Sequence, residues 1–377
     1  MNTKEIQTLQ RRLRVDKNAI TTLHGCYVNG KKEIVSAIHE PIGSLPGEDV
    51  KQYFSLLKKA LSGKTGKNLV ELEFDGNGRS GGKASQMLLD IRNAKSDDSE
   101  AYDAFFHRVI ENLNMEGVNY LILVVTDAYD VPYRSNDNET QHDASDRVFR
   151  YMLCAICPVK DEKLRLGYSF GENEFRTMIA RQIVNAPDVG FLFPAFEDSS
   201  ENTDKVLFYS KKSDNIHQEF IDGMFEIHPP MSAEEQKDAF NDALSEALQA
   251  SCSMPVVQAV YGEMQRKIEE HKSSKNAEPL TVSVEDIESI LTDCGVDTEK
   301  TEEFHRQIEE QFGEDFSFAP QNIIDSRRFE VRSGDITLTV GPEQSHIIQT
   351  KIINGRKYIM IPADAGVEIN GLPINIT

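Results

Sequence analysis

Long apolar runs are missing from this sequence, and no segment approaches the roughly 20 residues that a membrane-spanning helix needs. The first residues, Met1 to Ile6, lead into Arg11, Arg12 and Arg14 without an apolar core, so we expect no secretion signal. Cysteine is scarce: the five residues are an odd number and are scattered along the chain, which excludes a disulfide framework. These absences predict a cytoplasmic protein in a reducing compartment.

Positive charge is also in short supply. The chain has 41 Lys and Arg against 62 Asp and Glu, which gives a formal net charge of -21. A surface this acidic repels nucleic-acid phosphates and anionic lipid, so we expect no nucleic-acid partner and no membrane partner. The length of 377 residues and the apolar fraction of 39% are ordinary for a soluble protein with two or three domains.

Complete catalytic signatures are absent as well. The sequence has no Gly-x-Ser-x-Gly elbow, and no arrangement of Ser, His and Asp stands out. Cys154 and Cys157 have no second cysteine pair, which argues against a structural zinc site. The apolar residues around them favour a strand, in which residues three apart point to opposite faces. A helix would instead place Cys154 at its N-terminus and lower the pKa of that thiol. The sequence thus gives no metal-ligand set.

A glycine-rich segment, residues 76–83, matches the spacing of a dinucleotide-binding loop at Gly76, Gly78 and Gly81. The surrounding pattern does not fit, because an acidic stretch and a second helix follow where a second parallel strand should come. The segment does not match the phosphate-binding loop motif of nucleoside triphosphatases either, since Lys83 is followed by Ala84 instead of Ser or Thr. We expect a flexible loop and no cofactor-binding residues, and keep nucleotide binding at 76–83 as an alternative.

An acidic segment, residues 127–146, follows the apolar run Tyr120–Val125, which predicts a buried central strand that ends in a polar loop. Carboxylates with one imidazole suit Mg²⁺ or Mn²⁺, or general acid–base chemistry. Tyr133 and Arg134, which lie in this segment, could orient a ligand. The alternative is that these residues cap turns and form local salt bridges. The candidate catalytic residues are Asp127, Asp130, His142 and Asp143, and the candidate ligand-binding residues are Tyr133 and Arg134.

Periodicity divides the chain into three parts. In residues 1–230 the strands outnumber the helices that could cross over between them, which predicts an α+β domain with a mixed, largely antiparallel sheet. One hairpin is predicted over His24–Ala37, with Asn29-Gly30 as a type I′ turn. Residues 231–315 read as a helical segment with apolar stripes. Residues 316–377 alternate as a small β unit with Asn-Gly turns.

Several segments resemble one family of uncharacterised bacterial proteins, catalogued as a domain of unknown function. The resemblance runs from near the N-terminus to the end of the chain. It implies a bacterial cytosolic protein and carries no reaction or catalytic residues with it. The segments are Gly25–Val28, Leu61–Gly63 with Gly66–Leu69, Tyr129–Arg134, Cys154–Lys160 and Ala363–Gly371.

These observations predict a non-catalytic protein that binds or regulates a protein partner, with an unknown oligomeric state. The support is the incomplete catalytic pattern, the acidic helical segment and the separate β tail. One alternative is a metal-assisted enzyme that uses the acidic loop 127–146, and the other is a nucleotide-binding protein that uses the loop 76–83. Whether the protein is an enzyme stays open at this point.

Overall fold

Two compact units, Met1–Ser232 and Ala233–Thr377, make up the chain in a computed structural model. The predicted division at residues 230 and 315 stays a prediction. The residues that the structure describes are 1–74, 82–95, 97–131, 133–134, 140–141, 147–162, 166–169, 171, 173–177, 182–274, 278–314 and 316–375.

The first unit combines five α-helices with fourteen strands among its described residues. The helices are α1 Thr3–Arg12, α2 Gly47–Lys59, α3 Lys83–Asn93, α4 Ser99–Asn112 and α5 Gln218–Phe225. The strands are β1 Thr22–Val28, β2 Ile34–Pro41, β3 Leu69–Glu73, β4 Asn119–Asp130, β5 Tyr133–Arg134, β6 Thr140–Gln141, β7 Val148–Asp161, β8 Leu166–Ser169, β9 Glu174–Thr177, β10 Gln182–Val184, β11 Val189–Phe193, β12 Ala195–Glu197, β13 Ser200–Asn202 and β14 Lys205–Ser210.

An eight-stranded sheet organises this unit, in the order β2-β1-β4-β7-β11-β14-β3, with β10 paired to β7 beside that path. Every ladder between its named strands is antiparallel. The long strands β4 and β7 form the centre, and β3 completes one edge by pairing with β14. The predicted α+β class with a largely antiparallel sheet is confirmed.

Helices cover both faces of the sheet because its central strands are apolar on both sides. On one face α3, α4 and α5 pack over a core that contains Ile122 and Cys154. On the other face α1 and α2 pack over a core that contains Leu123 and Cys157. The two cysteines are buried, free and in different cores, as the strand interpretation predicts.

The second unit begins with a helical layer and ends in small hairpins. Its core joins apolar residues of α6, α7, α8 and α9, among them Phe240 and Phe304. The helices are α6 Ala233–Leu248, α7 Met254–Ser274, α8 Val284–Asp293, α9 Thr298–Phe312 and α10 Pro320–Ile323. The strands are β15 Val282–Ser283, β16 Ser317–Phe318, β17 Phe329–Ser333, β18 Ile336–Val340, β19 Gln349–Ile353, β20 Arg356–Met360, β21 Val367–Ile369 and β22 Leu372–Ile374.

Two local predictions need correction. The strand that starts before Tyr120 does not end at Val125, because β4 continues to Asp130 and pairs with β7 throughout. The first hairpin forms as predicted, but five residues separate its strands. Lys32, with φ 64°, supplies a left-handed residue in this turn, so Asn29-Gly30 is not a two-residue type I′ turn.

Candidate functional site

Asp127, the leading candidate carboxylate, is buried in β4 and fully engaged by other residues of the chain. Arg12 of α1 donates from Nε to Oδ2 at 2.8 Å and from Nη2 to Oδ1 at 3.0 Å. The backbone N–H of Ala19 donates to Oδ1 at 2.8 Å, and the Tyr151 hydroxyl donates to Oδ2 at 2.8 Å. We call Arg12, Ala19, Asp127 and Tyr151 the Asp127 cluster.

The Asp127 cluster links α1, through Arg12, to the central strands β4 and β7. Burial alone would lower the pKa of Arg12, but the hydrogen bond and the negative charge of Asp127 raise it above its ordinary value. Burial, followed by the charge of Asp127, raises the pKa of Tyr151 well above its usual range. The Arg12 guanidinium also lies 4.8 Å from the centre of the Tyr129 ring. Because both carboxylate oxygens have strong donors, this arrangement supports a structural role for Asp127.

Asp130, the second candidate carboxylate, is exposed at the end of β4, opposite Val148 of β7. Since it lies three residues beyond Asp127 within one strand, the two side chains leave opposite faces of the sheet. In this geometry the two carboxylates do not converge on one cation, and the catalytic roles of Asp127 and Asp130 stay predictions. Among the described residues, His, Cys, Asp and Glu form no group of three or more that could hold a metal ion.

The remaining candidates of the acidic loop are only partly placed. Tyr133 and Arg134 form β5, which pairs with Gln141 and Thr140 of β6 as a short antiparallel ladder. His142 and Asp143 lie outside the described residues. Their predicted roles stay predictions.

Only the last two residues of the glycine-rich segment, Gly82 and Lys83, are among the described residues. Residues 76–81 lie outside the described ranges, Gly82 is the N-cap of α3, and Lys83 opens that helix. The carboxylate of Glu226 lies beside Gly82, at 3.2 Å from where a Cβ would stand. A carboxylate at this helix N-terminus takes the position that favours an anion, and so opposes a bound phosphate.

A histidine pair that sequence reasoning did not identify lies at the edge of the sheet. His24 of β1 is opposite His39 of β2, and their Nδ1 atoms share a hydrogen bond of 3.2 Å. His24 is buried and stacks on Tyr102 of α4, with ring centroids 3.6 Å apart and planes 7° apart. Burial, aided by the neighbouring His39, lowers the pKa of His24 to about 4.

Chemically, the histidine pair has the properties of a pH-sensitive contact. At neutral pH His24 is uncharged, since its pKa lies well below 7. Burial raises the pKa of Tyr102 to about 12, so this hydroxyl stays protonated beside it. Neither group is tuned to exchange protons near pH 7, which general acid–base catalysis requires. Finding the pair requires the β1–β2 register, because the two histidines are 15 residues apart in sequence.

Among the described residues, the C-terminal β tail, residues 329–374, has the largest concentration of exposed apolar side chains. Its strands form three separate two-stranded hairpins, and both strands of β19–β20 are exposed along their whole length. In this hairpin, which we call the tail hairpin (349–360), Ile352 is 68% exposed and Tyr358 is 43% exposed. Asn354 and Gly355 both have positive φ, as the two-residue turn between the strands requires. The other exposed apolar residues of the tail are Ile336, Ile353, Ile359, Met360, Ile361, Ile369, Leu372 and Ile374.

Comparison with known families gives one match. The model of a domain of unknown function, DUF4317, matches residues 1–372. The chain belongs to this family. The match spans both units, so the sheet, the Asp127 cluster and the tail hairpin all lie within it. The predicted resemblance to an uncharacterised family is confirmed. A search of the curated proteins finds no match.

Proposed function

We propose that the protein is a non-catalytic bacterial cytosolic protein that binds a protein partner through the tail hairpin. The observation that carries this proposal is the exposure of Ile352, Tyr358 and Ile359 on a hairpin whose strands pair only with each other among the described residues. An isolated two-stranded hairpin is marginally stable in water. Exposed apolar patches of this kind mark interaction sites.

Charge and position support a protein partner over other classes. A chain with a net charge of -21 repels nucleic acid and anionic lipid. Among the described residues, no helix has both the length and the apolar character needed to cross a bilayer. Among the described residues, neither strand of the tail hairpin pairs with a third strand, so a partner strand can pair with its edges.

The geometry supports this proposal over metal-assisted catalysis at the acidic loop. Arg12, Ala19 and Tyr151 already satisfy the Asp127 carboxylate, and Asp130 leaves the other face of the sheet. A cation at Asp127 would have to displace the Arg12 guanidinium. That exchange would leave a buried positive charge without its partner, which is costly.

Photo-crosslinking tests the proposed surface in the full-length protein. The photo-reactive residue p-benzoylphenylalanine would replace Tyr358 of the tail hairpin or, as a matched control, Phe175, which is also an exposed aromatic residue of a short hairpin. We expect Tyr358 to give a discrete protein adduct in cells, which mass spectrometry identifies, and Phe175 to give none. An Ile353→Asp change on the same face of the hairpin should abolish the adduct. The absence of any adduct from Tyr358, or the same adducts from both positions, would show that this surface does not bind a protein.

A further inference from the structure

The tail hairpin is cationic in an otherwise acidic chain. It carries Lys351, Arg356 and Lys357, and residues 344–362 contain no Asp or Glu, although the whole chain has 62. Lys351 pairs with Tyr358, and Ile353 pairs with Arg356. Residues paired across an antiparallel ladder share a face, so Lys351 and Arg356 lie on one face with Ile353 and Tyr358, and Lys357 lies on the other. The surface therefore suits a partner that is both acidic and partly apolar.

An acidic stripe of matching spacing lies on α6. Glu234, Asp238, Asp242 and Glu246 are four residues apart in succession, and all four are exposed. No ion pair of these four is found within the described ranges. Like charges at this spacing repel one another and destabilise a helix. Cations from a binding partner would remove this repulsion.

The distance between neighbouring carboxylates on α6 is similar to the distance between the two cations on the tail hairpin. Four residues of α-helix rise about 6 Å, which separates successive carboxylates of the stripe. Lys351 and Arg356 are diagonal neighbours on the tail hairpin, and such neighbours lie about 7–8 Å apart. Because both side chains are long and flexible, they can reach two adjacent carboxylates at once, for example those of Asp238 and Asp242.

We infer that the tail hairpin of one copy binds α6 of a second copy, which makes the protein a homodimer. This inference rests on the proposed function, in which the tail hairpin binds a protein. Within one copy both surfaces are exposed, so the tail hairpin does not cover its own α6. In a dimer with two-fold symmetry, the tail hairpin of each copy contacts α6 of the other copy, so one type of contact occurs twice.

Sedimentation equilibrium of the full-length protein tests the inference through charge reversal. We expect a dimer at low salt that dissociates in about 1 M NaCl, where the Debye length is about 3 Å. The hairpin variant, Lys351→Glu with Arg356→Glu, and the helix variant, Asp238→Lys with Asp242→Lys, should each weaken the dimer by at least about tenfold. Mixing these two variants should restore a dimer, because each reversed hairpin then meets a reversed helix.

The controls separate this inference from the proposed function. Glu299→Lys with Glu302→Lys reverses two other exposed carboxylates of the second unit, on α9, and should leave the dimer unchanged. A protein that stays monomeric at low salt, or reversed variants that do not recover when mixed, would overturn the homodimer. If Tyr358 then still crosslinks to a different protein, the tail hairpin binds a protein other than a second copy. If it crosslinks to nothing, the proposed function fails too.

Discussion

Acidification should weaken the first unit through His24, and the effect can be worked out from its surroundings. The imidazole is buried against Tyr102 and hydrogen-bonded to His39, and its pKa falls from 6.5 to about 4. The unfolded chain therefore binds a proton that the folded protein excludes. Stability from this group is complete above pH 6.5 and declines as the pH falls from 6.5 towards 4.

The expected loss follows from the size of that shift. At about 1.4 kcal/mol per pKa unit, the contribution of His24 approaches an upper limit of roughly 3 kcal/mol. At a pH of about 4.5 most of it is lost, or about 2.5 kcal/mol. Removing His39 should reduce the loss, because the neighbouring imidazole is the second cause of the lowered pKa.

The matched variant is His24→Phe, which keeps an aromatic ring on Tyr102 but cannot take up a proton. Hydrogen exchange of peptides from β7, measured by mass spectrometry at a pH of about 7 and of about 4.5, reports the opening free energy of the sheet for both proteins. Comparison at each pH cancels the intrinsic exchange rate and the titration of all other groups. Equal losses of stability in the wild type and in His24→Phe would refute the reasoning.

Three further predictions concern charge and packing. Asp127→Asn should destabilise the first unit by about 3 kcal/mol in urea unfolding, because Arg12 keeps a largely buried charge without its partner; a stabilised variant would favour the metal-site hypothesis instead. Gly190→Ala should destabilise by about 1–3 kcal/mol, since its Cβ would stand 2.6 Å from the Cβ of Ala60. Gly262→Ala, at a helical position with open space around it, should stabilise the protein by about 0.5–1 kcal/mol. If Gly190→Ala were the more stable of the two glycine variants, the packing described here would be wrong.

Local patterns predicted most helices and hairpins well, because their signals lie within a few residues. The apolar stripes of residues 231–315 predicted a helical segment, where the structure has α6, α7, α8 and α9. The Asn354-Gly355 turn locates the tail hairpin for the same reason. α5 was not predicted, since it is short and is bounded by left-handed residues at His217 and Glu226.

Features that depend on distant residues could not be read from the sequence. The contact between Arg12 and Asp127 joins residues 115 apart, so the local pattern showed only an acidic residue near a strand end. The ladder with β7 holds β4 extended through Asp127, although its apolar run stops at Val125. The histidine pair depends on a register that a loop of five residues sets. In each case the residue type is compatible with several roles. Contacts with residues distant in the sequence decide which role it has.

The pairing of β3 with β14 has a consequence for synthesis of the chain. Glu73 ends β3, but its partner Lys205 emerges from the ribosome only after more than a hundred further residues. At about 5–20 residues per second, β3 waits on the order of ten seconds without a partner strand. During that interval its ladder groups are unpaired, and a wrong partner can occupy them. The edge of the sheet that is last to form is thus encoded among the first strands to be translated.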